Sequence, residues 1–124
     1  MTGIKAGKIK QMALAVSDLE ASVDFYENKL GLPLLFRAPP QMAFFDINGI
    51  RLMLSEAEDV PRGGPIVYFS VENIDAAYKD LGAAGVNCVR EPLLTHKTED
   101  GELWLAFFKD PDGHTLALME ERAI

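Results

Sequence analysis

Cysteine occurs once in this chain, at Cys88, so no internal disulfide braces the fold. A lone thiol fits a reducing compartment. Its neighbours Asn87 and Val89 carry no charge that would activate it, and it reads as a packed strand residue rather than a nucleophile. Histidine is nearly as scarce, limited to His96 and His114, which leaves few nitrogen donors for a transition metal. Basic residues are outnumbered, 12 Lys and Arg against 19 Asp and Glu for a net charge of −7, and this argues against a general nucleic-acid-binding surface. Long apolar runs are missing too: stretches such as Leu103 to Phe108 fall far short of the roughly 20 residues that a membrane-crossing helix needs. Lys5, Lys8 and Lys10 are not followed by an uninterrupted apolar region, so no secretory leader is expected, and a cytoplasmic location follows as the expectation.

What is present is enough for one folded domain: 124 residues, 48% of them hydrophobic and 25% charged. The chain also repeats itself. Lys10 to Leu19 returns as Pro65 to Ile74, and Phe44 to Leu54 returns as Phe107 to Leu118. Gln11 and Ile66 are 55 positions apart, Gly49 and Gly113 64, so the second copy carries the longer loops. A repeat of this length is one structural module, and equivalent positions become comparable.

Within the first copy, Met12, Leu14 and Val16 alternate with Gln11, Ala13 and Ala15, the period of a strand. Ser17 or Asp18 then caps a helix from Leu19 to Leu30, where Leu19, Val23, Tyr26 and Leu30 recur at helical spacing and Gly31 supplies the stop. Leu32 to Arg37, Met42 to Ile47 and Ile50 to Ser55 read as strands, turned at Pro39-Pro40 and at Asn48-Gly49. The second copy repeats the order: a strand at Ile66 to Val71, a helix at Ile74 to Ala83, and strands at Asn87 to Leu94, Leu103 to Lys109 and Thr115 to Glu120, with Thr95 to Glu102 as a polar loop. The fold class is α+β, two β-α-β-β-β modules in a single domain: module 1 about 8–56, a linker 57–64 and module 2 about 65–121.

Strand parity separates two faces. Met12, Leu14, Val16, Leu52, Leu54, Val67, Phe69, Val71, Leu116 and Leu118 form an almost wholly apolar set, expected to lie under the helices. The other set, Gln11, Ala13, Ala15, Arg51, Met53, Ser55, Ile66, Tyr68, Ser70, Thr115, Ala117 and Met119, mixes small, polar and apolar groups, as the walls of ligand pockets do. A solvent-facing or dimer-facing surface is the other reading of this second face.

Paired modules of this order, the Ser-Asp-Leu helix entry, Phe25-Tyr26 ahead of Leu30-Gly31-Leu32, and Phe107-Phe108-Lys109-Asp110-Pro111-Asp112-Gly113 resemble the vicinal oxygen chelate superfamily of glyoxalases, bleomycin and fosfomycin resistance proteins, extradiol dioxygenases and epimerases. The resemblance spans about Lys8 to Glu121. It implies a cup-shaped mixed sheet with the helices on its outer face and a cavity inside, often completed by a homodimer. In enzymatic members it also implies a divalent metal held by His and Glu from the first and fourth strands of each module. Here those positions hold Gln11, Met53, Ile66 and Ala117, of which only Gln11 offers an oxygen, so no metal and no other cofactor is expected.

The expected function is therefore a metal-independent, small-molecule binding protein, with Gln11, Ala13, Arg51, Met53, Ile66, Tyr68, Thr115, Ala117 and Trp104 around the ligand. That ligand is small and partly apolar. It is anionic if Arg51 faces it, unless Glu102 or Asp46 pairs with that arginine instead. Arg37, Ser55, Ser70, His96 and Glu102 are further polar candidates near the cup, and the two histidines read as solvated loop residues. The expected partner is a second copy of the chain, with no nucleic acid and no membrane. Two alternatives stand beside this: a lyase, isomerase or dioxygenase whose metal is held by unforeseen groups including His96 or a partner subunit, and a protein-interaction module.

Overall fold

In the computed structural model, which describes residues 8–58, 60 and 62–123, the repeat becomes two similar halves. The alternation after Lys10 forms β1 (Gln11–Ala15), and Asp18 begins α1 (Leu19–Asp24), which widens into a π-helical turn over Phe25–Lys29. There the Leu30 N–H reaches back to the Phe25 carbonyl at 3.0 Å, and the adjacent Phe25 and Tyr26 are both buried. β2 (Leu34–Ala38), β3 (Met42–Ile47) and β4 (Ile50–Ser55) complete the first half. The β3–β4 turn needs positive φ at both central residues, and Asn48 and Gly49 supply it at 49° and 97°.

The second half is β5 (Val67–Ser70), α2 (Ile74–Ala83), β6 (Asn87–Lys97), β7 (Gly101–Lys109) and β8 (Thr115–Ala123). Strand order is β1-β4-β3-β2 in one sheet and β5-β8-β7-β6 in the other. In each, the first and last strands of the module pair in parallel and the remaining neighbours are antiparallel. Among the described residues the two sheets share no ladder, so β1 and β5 are both edges. Asp59 and Pro61 of the expected linker, and Lys5 ahead of β1, lie outside the described residues.

Both helices are started the same way. Asp18 and Asn73, 55 positions apart, accept the N–H groups of Ala21 and Ala76 at 3.1 and 3.0 Å. A glutamate in or just after each module's last strand adds a second acceptor: Glu56, following β4, takes the Leu19 N–H at 2.6 Å, and Glu120, within β8, takes the Ile74 N–H at 2.8 Å. Those glutamates are 64 positions apart, the offset of the turn glycines. Each helix is thus fastened to its sheet by a carboxylate as well as by packing.

Leu14, Val16, Leu52, Leu54, Phe45, Val67, Leu116, Leu118 and Phe108 are buried with residues of both helices in one core. Removing each of these side chains from water contributes about 1.5 to 3 kcal/mol, so this face fixes the fold. One expectation is overturned. Thr95 to Glu102 is not a loop: β6 runs to Lys97 and β7 starts at Gly101, with the Thr98 N–H bonded to the Gly101 carbonyl at 2.9 Å. The hairpin projects past the core, so both of its faces are solvated and carry no apolar alternation to read.

Candidate functional site on the open sheet faces

The face of each sheet turned away from its helix is only partly covered. On the first, β1 and β4 place Gln11 beside Arg51, Ala13 beside Met53 and Ala15 beside Ser55. The neighbouring β3 sets Phe44 against Met53, and β2 sets Phe36 against Phe44. One row therefore reads Ala13, Met53, Phe44, Phe36, and the next begins with Gln11 and Arg51. The rings of Phe36 and Phe44 stack at 4.5 Å with 21° between planes, and Phe36 is 46% exposed.

Arg51 is held by neutral partners. Its Nε–H donates to Gln11 Oε1 at 2.8 Å, and its guanidinium carbon lies 5.7 Å from the Phe44 ring centre. Neither carboxylate weighed from the sequence takes it: Asp46, its neighbour on β3, accepts the Gly49 N–H at 3.0 Å, while Glu102 receives Trp104 Nε1–H and lies 3.8 Å from Lys97.

On the second sheet Tyr68, Ala117 and Phe107 stand in one row across β5, β8 and β7. Ala117 is fully buried, and the rings of Tyr68 and Phe107 meet edge to face at 6.5 Å on either side of it. Thr115 accepts from Lys109 Nζ at 2.8 Å, and Ile66, just before β5, is 40% exposed. Leu93, Leu105 and Met119 extend the apolar surface. His96, placed by sequence reasoning in a loop, belongs to β6, with Leu103 opposite it and Glu121 beyond.

Trp104 departs from the expectation. It packs against the core on the helix side, with the Arg122 guanidinium 4.4 Å from its ring. Arg37 also faces that side, bonded to Glu20 of α1 at 2.7 Å, and Glu102 joins Trp104 there. The two histidines are not alike either. His114 has a side chain only 12% exposed and sets Nδ1 at 2.6 Å from Asp110 Oδ2, so it is a structural partner rather than a solvated loop residue.

The four expected metal positions are thus spread over both open faces. Gln11 is engaged with Arg51, Met53 offers a thioether, Ile66 has no donor, and Ala117 lies beneath two rings. Among the described residues no three His, Cys, Asp or Glu side chains gather as a metal-binding group. The residues at these positions do not fit a divalent metal. A cavity of about 870 Å³ opens in the cleft between the modules, where Leu30, Leu32, Ile47, Phe69 and Leu81 line it. Its wall also includes Tyr68 from the expected ligand set and the charged side chains of Lys29, Asp46 and Asp80.

Comparison with known proteins agrees with the fold. Residues 8–118 match the Glyoxalase/Bleomycin resistance protein/Dioxygenase superfamily, and the chain belongs to it. It is 33% identical over 117 residues to the metallothiol transferase FosB of Bacillus licheniformis, an alignment covering 89% of this chain and 73% of that protein. A solved member of the superfamily from Sphaerobacter thermophilus superimposes with a TM-score of 0.79 at 26% identity, over 95% of this chain and all (100%) of the other. TnmS3, an antibiotic binding protein from Streptomyces sp. CB03234, does so with a TM-score of 0.77 at 24% identity, over 96% and 99% of the two chains.

Proposed function

We propose that this chain is a metal-independent binding protein for a small, partly apolar molecule, held on the open sheet faces in a cup that a second copy completes. The observation that carries the reading is the content of the four ligand positions, Gln11, Met53, Ile66 and Ala117. Zinc-type sites need three or four His, Cys or carboxylate groups, and hard cations several oxygens. The faces offer binding surface instead. Phe36, Tyr68 and Leu93 are 46%, 46% and 52% exposed, beside the small Ala13. Exposed apolar groups on a sheet face favour a ligand or a second chain as cover, and the edges β1 and β5 are where another copy would join. TnmS3 is a binding protein built on the same fold, which is in keeping with this role. The lone cysteine is in keeping with a cytoplasmic location.

Native mass spectrometry and elemental analysis of protein purified without chelator test the proposal. The expected result is a dimer with well under one metal ion per chain and a retained small molecule. Nickel, zinc, iron or manganese near one per chain overturns it. The likeness to a metallothiol transferase, with His96 on an open face, favours an enzyme as the second reading. A turnover rate that depends on added metal and is lost in His96→Ala would establish that reading.

A further inference from the structure

We propose that Arg51, braced by Gln11, is a carboxylate subsite for small acids with a flat apolar body, which lies along Ala13, Met53, Phe44 and Phe36. The proposal deepens the reading of the open faces as binding surface and rests on it. Arginine has five N–H donors, and Gln11 occupies the one on Nε. Among the described residues no carboxylate forms an ion pair with Arg51, although acids outnumber bases by 19 to 12 in the chain. The terminal nitrogens thus keep the planar fork that matches a carboxylate in two parallel hydrogen bonds.

Gln11 is suited to orient that fork without neutralising it, because an amide oxygen accepts a hydrogen bond but carries no net charge. A glutamate there would have satisfied the arginine and closed the site. Phe44 restricts the guanidinium from its other side at 5.7 Å. Beyond it the exposed Phe36 stacks on the buried Phe44, so the ring that a ligand meets where the charge ends is that of Phe36. Ala13, the smallest side chain in the row, leaves space above Met53. A cation at one end of an apolar shelf selects ligands with the same division: a carboxylate at one end and an aromatic or similarly flat body at the other.

The test is calorimetric titration of the intact protein with 2-naphthoate, and with 2-naphthamide as the neutral analogue, in buffer containing EDTA. The expected result is saturable binding of the acid and weaker binding of the amide. Arg51→Gln should raise the Kd for the acid about ten-fold or more and that for the amide by a clearly smaller factor. Arg51→Lys should fall between, since it keeps the charge without the fork, and Gln11→Ala should weaken the acid by a smaller factor. Thermal melts of each variant show that it is folded.

No binding of the acid, equal binding of acid and amide, or an unchanged Kd in Arg51→Gln overturns the subsite, whatever the metal content. Arg51-dependent binding in a protein that carries stoichiometric metal would instead overturn metal independence and leave the subsite standing.

Discussion

The Tyr26 hydroxyl donates to Asp110 Oδ2 at 2.8 Å and joins two residues 84 positions apart, one in the helix of the first module and one in the turn before the last strand of the second. Asp110 is 5% exposed and has no idle oxygen. Its Oδ1 accepts the N–H groups of Asp112 and His114 at 3.0 and 2.8 Å, and its Oδ2 also meets His114 Nδ1. Asp112 continues the seam by accepting the Ser17 N–H at 2.8 Å. The relative position of the modules is therefore set by a buried polar contact as well as by the shared core, and buried polar contacts are costly to leave half made.

Tyr26→Phe keeps the ring in the core and removes only this donor. We expect it to lower stability by about 1 to 3 kcal/mol, the cost of leaving a buried charged acceptor short of one hydrogen bond. Urea unfolding should show a lower midpoint with an unchanged slope. An unchanged midpoint would mean that the hydroxyl contributes nothing to the joint.

The same variant should alter behaviour in alkali. Burial first, and then the Asp110 charge and its hydrogen bond, push the Tyr26 phenol well above its ordinary pKa of 10.0. The folded state thus keeps the proton that the unfolded state releases. Stability from this group is complete below pH ~10 and declines as the pH rises beyond it. In Tyr26→Phe that component of the alkaline decline should disappear, as melts between neutral pH and pH 11 would reveal.

What was legible in the sequence is what repeats or alternates. The 55- and 64-residue offsets return as equivalent strands, the period of two in Gln11 to Val16 returns as two faces of β1, and Asn48-Gly49 returns as a hairpin turn. Trp104 was harder to place because Leu103 to Phe108 is apolar at every position, so parity alone cannot say which side faces the helix. Long-range polar partners were also hidden. Nothing local to Tyr26 signals Asp110, and Arg51 meets Gln11 only because two strands 40 positions apart pair in parallel. The helix-capping glutamates were within reach, since aligning the copies puts Glu56 opposite Glu120.

Neighbouring positions on β4 offer a direct test of the faces. Leu52 has no exposure and lies under the helix, whereas Met53 is half-buried on the open side. Leu52→Ala should cost about 2 to 5 kcal/mol, as buried leucine truncations do, and Met53→Ala under about 1.5 kcal/mol. Chemical denaturation of the two variants side by side decides it, and equal losses would contradict the assignment.

Acid should act on the second module through Glu120. The hydrogen bond from Arg122, followed by that from the Ile74 N–H, holds its carboxyl below the ordinary carboxylate range. A lowered folded pKa means that this contribution is present above the ordinary range and is lost as the pH falls through the folded value. Glu120→Gln should be less stable than the parent at neutral pH and should lose less on acidification. Parallel melts at pH 7 and pH 3 measure the difference, and identical acid profiles would count against the cap.

Trp104 separates binding from stability. Its Nε1–H donates to Glu102 at 3.0 Å and Arg122 covers its ring, all on the helix side of the second sheet. Trp104→Phe keeps an aromatic ring but loses volume, the hydrogen bond and part of the cation–π contact, so the urea midpoint should fall. Affinity for 2-naphthoate should stay within about two-fold of the parent, because the tryptophan does not face the open surface. A large loss of affinity at an unchanged midpoint would reverse its placement and return it to the ligand set that the sequence alone had assigned.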